Sequence, residues 1–218
     1  MDKTAFQIQT FVDAEDHTTY WRTRTVTERL RAATMLTMQA YNLSWEEFAK
    51  MDRNVFSIRH RMENNVFNND FQEFVKCLNE EEVKYLLVGG YSVILHGYSR
   101  STGDMDIWVE ASEKNYQLLT KAFTRFGMPV FDMVLSKFLD TKHYDVFSFG
   151  REPMRIEILT AVKGLDFSTA FDRSSWFEFN DFQVRSLSLT DLKKAKEAAG
   201  RLRDKVDLEQ LELIKEEE

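Results

Sequence analysis

The sequence has little cysteine, proline or glycine, and each shortage excludes a class of protein. Its 218 residues include one cysteine, Cys77, two prolines and eight glycines. A single cysteine cannot form an internal disulfide, which fits a reducing compartment. So few prolines and glycines exclude long disordered linkers and low-complexity tracts. We therefore expect a folded globular chain.

Long apolar runs and positive net charge are also lacking. No apolar run approaches the length of about 18 residues that spans a membrane, and the N-terminus lacks the basic and apolar segments of a signal peptide. We therefore predict a cytoplasmic protein that contacts no membrane. The net charge of −7 argues against a general nucleic-acid coat, because such binding needs a broad basic face. A local basic pocket remains compatible with this charge.

Hydrophobic periodicity predicts an α+β fold, with a mixed sheet flanked by helices. From residue 69 onward, apolar spacing predicts a helix, a buried strand "VKYLLV", a short helix, a strand "MDIWVE" and a helix over 112–126. Two strands, "YDVFSFG" and "MRIEILT", a hairpin of "WFEF" with "FQVRSL", and two C-terminal helices separated at Gly200 follow. We assign residues 66–218 to this main domain.

Residues 1–65 are predicted to form a small α+β appendage of unknown role. Thr25 and Glu28 have the spacing of a capping box, which predicts a helix that begins after Thr25. The preceding cluster "HTTYWRTRT" combines aromatic and arginine side chains. It either stacks on a base or packs on the main domain as an amphipathic surface.

Three acidic residues are the candidates for chemistry. Asp104 and Asp106 begin a strand, where side chains two residues apart share a face. Their mutual repulsion favours a cation between them, although a solvated strand edge explains the pair equally well. Glu157 is an acid within an otherwise apolar strand, on the same face as Arg155. If the two strands are neighbours, all three carboxylates meet as a two-metal site requires.

The run "LLVGGYSVILHGYSRSTGDMDIWV" resembles the signature of the polymerase-beta-type nucleotidyltransferases, in which a strand, Gly-Gly, a short helix and Asp-x-Asp follow one another. More narrowly, it is similar to AbiEii-like and related toxin–antitoxin nucleotidyltransferases, which share an Arg-x-Thr-x-Asp-x-Asp run. "RIEILTAVKGLDF" and "SLTDLKKAKEAAGRLRDKVDLEQL" resemble later motifs of the family. One departure is Glu157, where the family commonly has aspartate.

The resemblance implies that residues 66–218 form a nucleotidyltransferase domain, which moves a nucleoside monophosphate from an NTP to a hydroxyl of tRNA, a protein or a small molecule. Mg²⁺ or Mn²⁺ is the implied cofactor, and a cognate toxin–antitoxin protein is a further implied partner. The implied catalytic and metal-binding residues are Asp104, Asp106 and Glu157. The implied nucleotide-binding residues are Gly89, Gly90, Ser92, Arg100 and Lys196. The alternative is a nucleotide-binding or antitoxin-like module with the same fold and weak catalysis.

Overall fold

The structure, a computed structural model, describes residues 20–44, 56–57, 69–151, 154–179 and 182–213. The helices are α1 (Val26–Tyr41), α2 (Asn69–Glu80), α3 (Gly89–Leu95), α4 (Glu113–Phe126), α5 (Leu135–Leu139), α6 (Phe167–Asp172), α7 (Leu189–Ala199) and α8 (Leu202–Glu212). The strands are β1 (Phe56–Ser57), β2 (Tyr85–Leu87), β3 (Asp104–Val109), β4 (Val146–Arg151), β5 (Met154–Leu159), β6 (Ser175–Glu178) and β7 (Gln183–Ser186).

The strands form one mixed sheet in the order β1-β4-β5-β3-β2-β7-β6. Two pairs are parallel, β3 with β5 and β2 with β7, and the other four are antiparallel. The parallel pair β3 and β5 aligns Asp106 with Glu157. The register of these two central strands therefore brings the predicted acids onto adjacent backbone positions.

Each face of the sheet has its own hydrophobic cluster, because side chains alternate along the strands. The larger cluster includes Met105 and Ile107 of β3 and is covered by α2 and α4. The smaller includes Trp108 of β3 and is covered by residues of α6, α7 and α8. Asp104 and Asp106 have the parity of Trp108, so they lie on the face that α7 and α8 cover.

The predicted α+β class is confirmed, and the condition for the meeting of the acids is met, because β3 and β5 are neighbours. Helix α3 begins at Gly89 rather than near Tyr91, so the two glycines form its first turn. Helices α5 and α6 were not predicted, since each is short and buries a single residue, Phe138 or Ala170. One buried side chain leaves no helical periodicity to detect.

Helix α1, from the predicted appendage, packs against the sheet's larger cluster. Thr25 and Glu28 form the expected capping box. Ala33 is buried in this cluster, and Nη1 of Arg29 donates to the carbonyl oxygen of Leu95 at 2.7 Å. Strand β1 pairs with β4 at the edge of the sheet. The described part of residues 1–65 thus contributes to the main core, and the boundary at residue 65 stays a prediction.

If α1 belongs to that core, Ala33→Asp should lower the free energy of unfolding by roughly 2–4 kcal/mol, because it buries an unpaired charge. Ala40→Asp on the same helix is the matched control, since Ala40 is exposed, and should cost less than about 1 kcal/mol. Denaturant unfolding of both variants measures the difference. Equal stability of the two variants would mean that α1 is a dispensable appendage.

Candidate active site

Asp104, Asp106 and Glu157 line one cavity on the sheet face that α7 and α8 cover. All three are buried, with exposures of 5%, 6% and 2%. The other lining residues are basic or small and polar, apart from one further acid: Gly90, Arg100, Thr102, Lys196, Arg201, Arg203 and Asp204. The structure therefore brings the three acids together, as the two neighbouring strands predicted.

Arg155 supplies positive charge among these carboxylates. Its Nε and Nη2 donate to the two oxygens of Asp104 at 2.9 and 2.6 Å. The same Nη2 lies 3.7 Å from Oε1 of Glu157. The shared strand face of Arg155 and Glu157 in the sequence favours a contact between these two residues. In the structure the shorter contacts of Arg155 are with Asp104, because β3 and β5 align these two residues.

The two glycines provide space for side chains of the acidic cavity. A Cβ on Gly89 would lie 1.8 Å from Oδ2 of Asp106, and Gly89 has a φ of +64°. A Cβ on Gly90 would lie 1.8 Å from Oγ1 of Thr102 and 3.0 Å from Nη2 of Arg100. A larger residue at either position therefore requires the side chain of Asp106 or Thr102 to move. The structural reason for Gly-Gly is thus side-chain approach, and its predicted phosphate contact stays a prediction.

Lys196 and Arg100 are both held by acids of α8. Nζ of Lys196 lies 2.9 Å from Asp204 and 2.7 Å from Asp207. Arg100 contacts Asp207 through Nε at 2.8 Å and through Nη2 at 3.0 Å. Burial raises the pKa of Asp204, but the charges of Lys196 and Arg201 and the Lys196 hydrogen bond outweigh it and leave this pKa lowered. The network therefore fixes α8 against α7 at the rim of the cavity.

Ser92 and Tyr91 do not line the acidic cavity. Ser92 is fully buried, and the hydroxyl of Ser186 donates to it at 2.8 Å. It is not among the residues that line the acidic cavity. Tyr91 is buried nearby, and burial, followed by the charges of Asp104 and Asp106, raises its pKa well above the usual value. The structure thus gives Ser92 a packing contact, while its predicted phosphate contact remains a prediction.

A second, larger cavity adjoins the acids. Its volume is about 350 Å³, against about 20 Å³ for the acidic cavity, and both are lined by Lys196, Arg201 and Asp204. Its walls are apolar on one side: Val88, Val146, Leu159, Val162, Leu192 and Ala195. Gly89 and Lys163 also line it. A volume of this size is within the range of small-molecule sites, whereas the acidic cavity holds only a water-sized group.

Sequence reasoning missed Arg201, Asp204 and Asp207, which lie in the motif that was quoted for the C-terminal helices. Their signal was the spacing of Asp204 and Asp207, because residues three apart share a helix face. Lys196 lies four residues before the helix break at Gly200. A lysine on one helix and two aspartates on one face of the next predict an interhelical ion pair.

The carboxylate oxygens in the acidic cavity are ligands that suit a hard divalent cation, but their arrangement is not that of a complete metal site. Within the described ranges, no group of three or more His, Cys, Asp or Glu residues is positioned to hold a metal ion. Mg²⁺, however, commonly uses one or two protein carboxylates with phosphate oxygens and water. Asp106 and Glu157 supply that number while Arg155 contacts Asp104. The two-metal arrangement remains a prediction.

Comparison with known proteins gives a likeness at the level of structure. No protein-family model matches the chain, and no curated protein matches it. A solved structure with a similar fold is the lincosamide antibiotic adenylyltransferase LnuA, bound to lincomycin, at 19% identity and a TM-score of 0.47. The match covers 70% of this chain and all of that one. At this TM-score the likeness carries no conclusion about activity.

None of the described helices is long and apolar enough to cross a membrane.

The close approach of Asp106 to Gly89 is testable by a matched pair of alanine substitutions. Gly89 and Gly200 have nearly the same φ, +64° and +66°, but the nearest atom to a Cβ on Gly200 is 3.7 Å away. Both Gly89→Ala and Gly200→Ala should cost roughly 1–2 kcal/mol from the left-handed backbone. Gly89→Ala should cost at least about 1 kcal/mol more, because it displaces Asp106. Denaturant unfolding measures this difference. Equal costs would show that Asp106 moves aside freely.

Proposed function

We propose that the chain transfers a nucleoside monophosphate from an NTP to a hydroxyl of an acceptor that is tRNA, a protein or a small molecule. The observation that supports it most is the burial of Asp104, Asp106 and Glu157 in one cavity beside a larger, partly apolar one. Buried carboxylates are costly unless a cation accompanies them. A metal-bound triphosphate provides such a cation at the position where these residues meet.

Different parts of the nucleotide are assigned to the two cavities. The apolar wall of the larger cavity suits the base and ribose, and Lys163, which lines it, is an exposed cation that suits phosphate. The acidic cavity holds no more than the reacting phosphate oxygens and the cation. Because Lys196 and Arg201 line both cavities, they lie where the triphosphate passes from one to the other.

Asp106 and Glu157 would hold the metal, with Asp104 joining them if Arg155 releases it. When bound, a divalent cation neutralises charge on the phosphates and lowers the pKa of a coordinated hydroxyl. The chain's own residues position the substrate. Gly89 keeps Asp106 in place by leaving space for its carboxylate. The ion pairs of Lys196 with Asp204 and Asp207 hold α7 against α8 beside the cavity.

The alternative is a nucleotide-binding or antitoxin-like module with weak catalysis. One observation favours it: Arg155 contacts both oxygens of Asp104 and leaves the cavity partly neutralised without a metal. In that case Arg155 is a permanent counter-ion of the acids. A toxin–antitoxin partner and a cytoplasmic location remain predictions from the sequence.

Label transfer tests the proposed reaction. The purified chain is incubated with Mg²⁺ or Mn²⁺, each NTP labelled at the α- or γ-phosphate, and bacterial RNA, protein or small-molecule fractions. Nucleotidyl transfer places the α-label on an acceptor and releases pyrophosphate, whereas phosphoryl transfer places the γ-label there. Absence of α-label transfer in every fraction, together with metal-dependent NTP binding, would favour the alternative module.

Asp106→Asn and Glu157→Gln should each lower the rate of α-label transfer by about 100-fold or more, the scale of losing one charge-stabilising group at a reaction centre. Both changes keep side-chain volume, so folding should be retained. Asp132→Asn is the control, since the Asp132 side chain is 56% exposed and does not line the cavity. Initial rates measure the effect. Wild-type rates in both site variants would exclude these acids from the reaction.

Arg155→Gln distinguishes a releasable partner from a permanent counter-ion. Removing one member of a buried ion pair should cost roughly 3–5 kcal/mol without metal. The surface ion pair of Arg125 with Glu81 provides the control Arg125→Gln, which should cost at most about 1 kcal/mol. If the acids bind metal, Mg²⁺ should raise the melting temperature of Arg155→Gln more than that of wild type. No Mg²⁺ response in Arg155→Gln would identify Arg155 as a permanent counter-ion.

A further inference from the structure

A separate pocket lies at the β6 and β7 end of the sheet. Its volume is about 360 Å³. Its lining combines aromatic, amide and charged side chains: Asn79, Glu82, Val83, Lys84, Tyr85, Phe171, Trp176, Gln183 and Arg185. None of these residues lines the acidic cavity or the larger cavity beside it. The proposed nucleotidyl transfer therefore does not use this pocket.

Arg185 is held rigidly in this pocket by neutral groups. Its Nε donates to Oγ of Ser174 at 2.6 Å, and its Nη2 donates to the carbonyl oxygen of Phe171 at 2.8 Å. Its guanidinium carbon lies 3.4 Å from the centre of the Phe171 ring. Within the described residues, no carboxylate lies within ion-pair distance of Arg185, although the charge of Asp172 acts on it from farther away, and no hydrogen bond of Nη1 is formed. A fixed cation thus presents an unused edge.

Trp176 is placed beside this cation and exposes a large flat surface. It is paired with Arg185 across the β6–β7 hairpin, and its ring centre lies 5.3 Å from the guanidinium. Trp176 lies on β6, the edge strand of the sheet, and its exposure is 51%. Of the nearby polar groups, the Tyr85 hydroxyl donates to Asn79 and the Lys84 amine to Glu110. Glu82 also lines the pocket as an exposed acid, so the Trp176 ring and the Arg185 edge are the groups that suit a base and a phosphate.

We propose that this pocket binds one nucleotide unit of a single-stranded nucleic acid, with a base stacked on Trp176 and a phosphate oxygen on Arg185. An exposed indole suits any base, because every base offers a flat ring, and stacking is worth a measurable share of single-strand affinity. The planar guanidinium suits phosphate. Together the two side chains match a base and a phosphate in one ligand.

Two residues of the pocket, Trp176 and Arg185, lie on the same sheet face as the predicted reaction site, whereas Asn79 and Tyr85 line the pocket from the side that α2 covers. Arg185 alternates with Val184, which belongs to the larger cluster, so it shares the opposite face with Asp106. Three strand intervals separate β3 from β6, which is a lateral distance of about 14 Å. A strand of a few nucleotides spans that distance. This site goes beyond the proposed function. Binding of a nucleotide unit in this pocket does not depend on nucleotidyl transfer at the acids.

The net charge of −7 limits both the affinity for nucleic acid and the number of phosphates that the protein contacts. One arginine neutralises one phosphate, so the logarithm of the binding constant should fall with the logarithm of salt concentration at a slope near −0.7. A basic face that follows the strand would give a much steeper slope. Binding should therefore be local and weak, and it should depend on stacking.

Fluorescence anisotropy with labelled octa-adenylate RNA, and with DNA of the same sequence, tests the proposal without NTP or metal. Trp176→Ala should weaken binding about tenfold, and Arg185→Lys should weaken it severalfold, because lysine keeps the charge and loses the planar contact. Trp176→Phe should bind within about threefold of wild type, since a flat ring remains. Tyr41→Ala and Arg125→Lys are matched controls, an exposed aromatic and a surface arginine, and should bind as wild type does.

Competition with AMP identifies the source of the nucleotide unit. If the pocket takes a unit within a strand, AMP should displace the RNA only at much higher concentration. If AMP competes as well as the oligomer and Trp176→Ala weakens both, the same pocket binds free nucleotides. Failure of wild type to bind any probe, or unchanged binding by folded Trp176→Ala and Arg185→Lys, would overturn the proposal and leave the Arg185 stack as a structural clamp.

Discussion

The burial of three carboxylates on one face of one sheet is the constraint on which the rest of the site depends. Each ion would cost several kcal/mol if it were buried alone, so positive charge must accompany Asp104, Asp106 and Glu157. Arg155 supplies part of it from the neighbouring strand. The glycines of α3 are a steric consequence of the same burial, because Asp106 occupies the position where Gly89 would carry a Cβ.

A second charge network encloses the first. Lys196, Arg100 and Arg201 contact Asp204 and Asp207, and these pairs join α7 and α8 to the segment before β3. Because their charges nearly balance within the network, the basic residues do not neutralise the sheet's carboxylates outright. The counter-ion of Asp104 and Glu157 among the described contacts is therefore Arg155, and the proposed metal-bound triphosphate would bring further positive charge. This distribution of charge is the physical basis of the proposed metal-bound triphosphate.

The class of the fold was predictable from the patterns of strands and helices. Alternation placed each acid on a face of its strand, but the meeting of the acids also required β3 and β5 to be neighbours. Helix α4 and the break at Gly200 were predictable from capping residues and apolar spacing. Helices α5 and α6 were not, because each buries only one side chain. The Arg155–Asp104 pair depends on the exact alignment of β5 with β3, which no local pattern encodes. Similarly, the sequence does not show that Arg185 and Trp176 are neighbours, because their proximity depends on the pairing of β6 with β7.

The central claim is that Asp106 and Glu157 bind a divalent cation together with a nucleoside triphosphate. Crystals grown with Mn²⁺ and a non-hydrolysable NTP analogue test it most directly, because anomalous scattering locates the ion independently of the protein. The account predicts a manganese peak in contact with carboxylate oxygens of Asp106 and Glu157 and with phosphate oxygens. Nucleotide bound elsewhere, or nucleotide in the cavity with Arg155 still on Asp104 and no manganese peak, would contradict it.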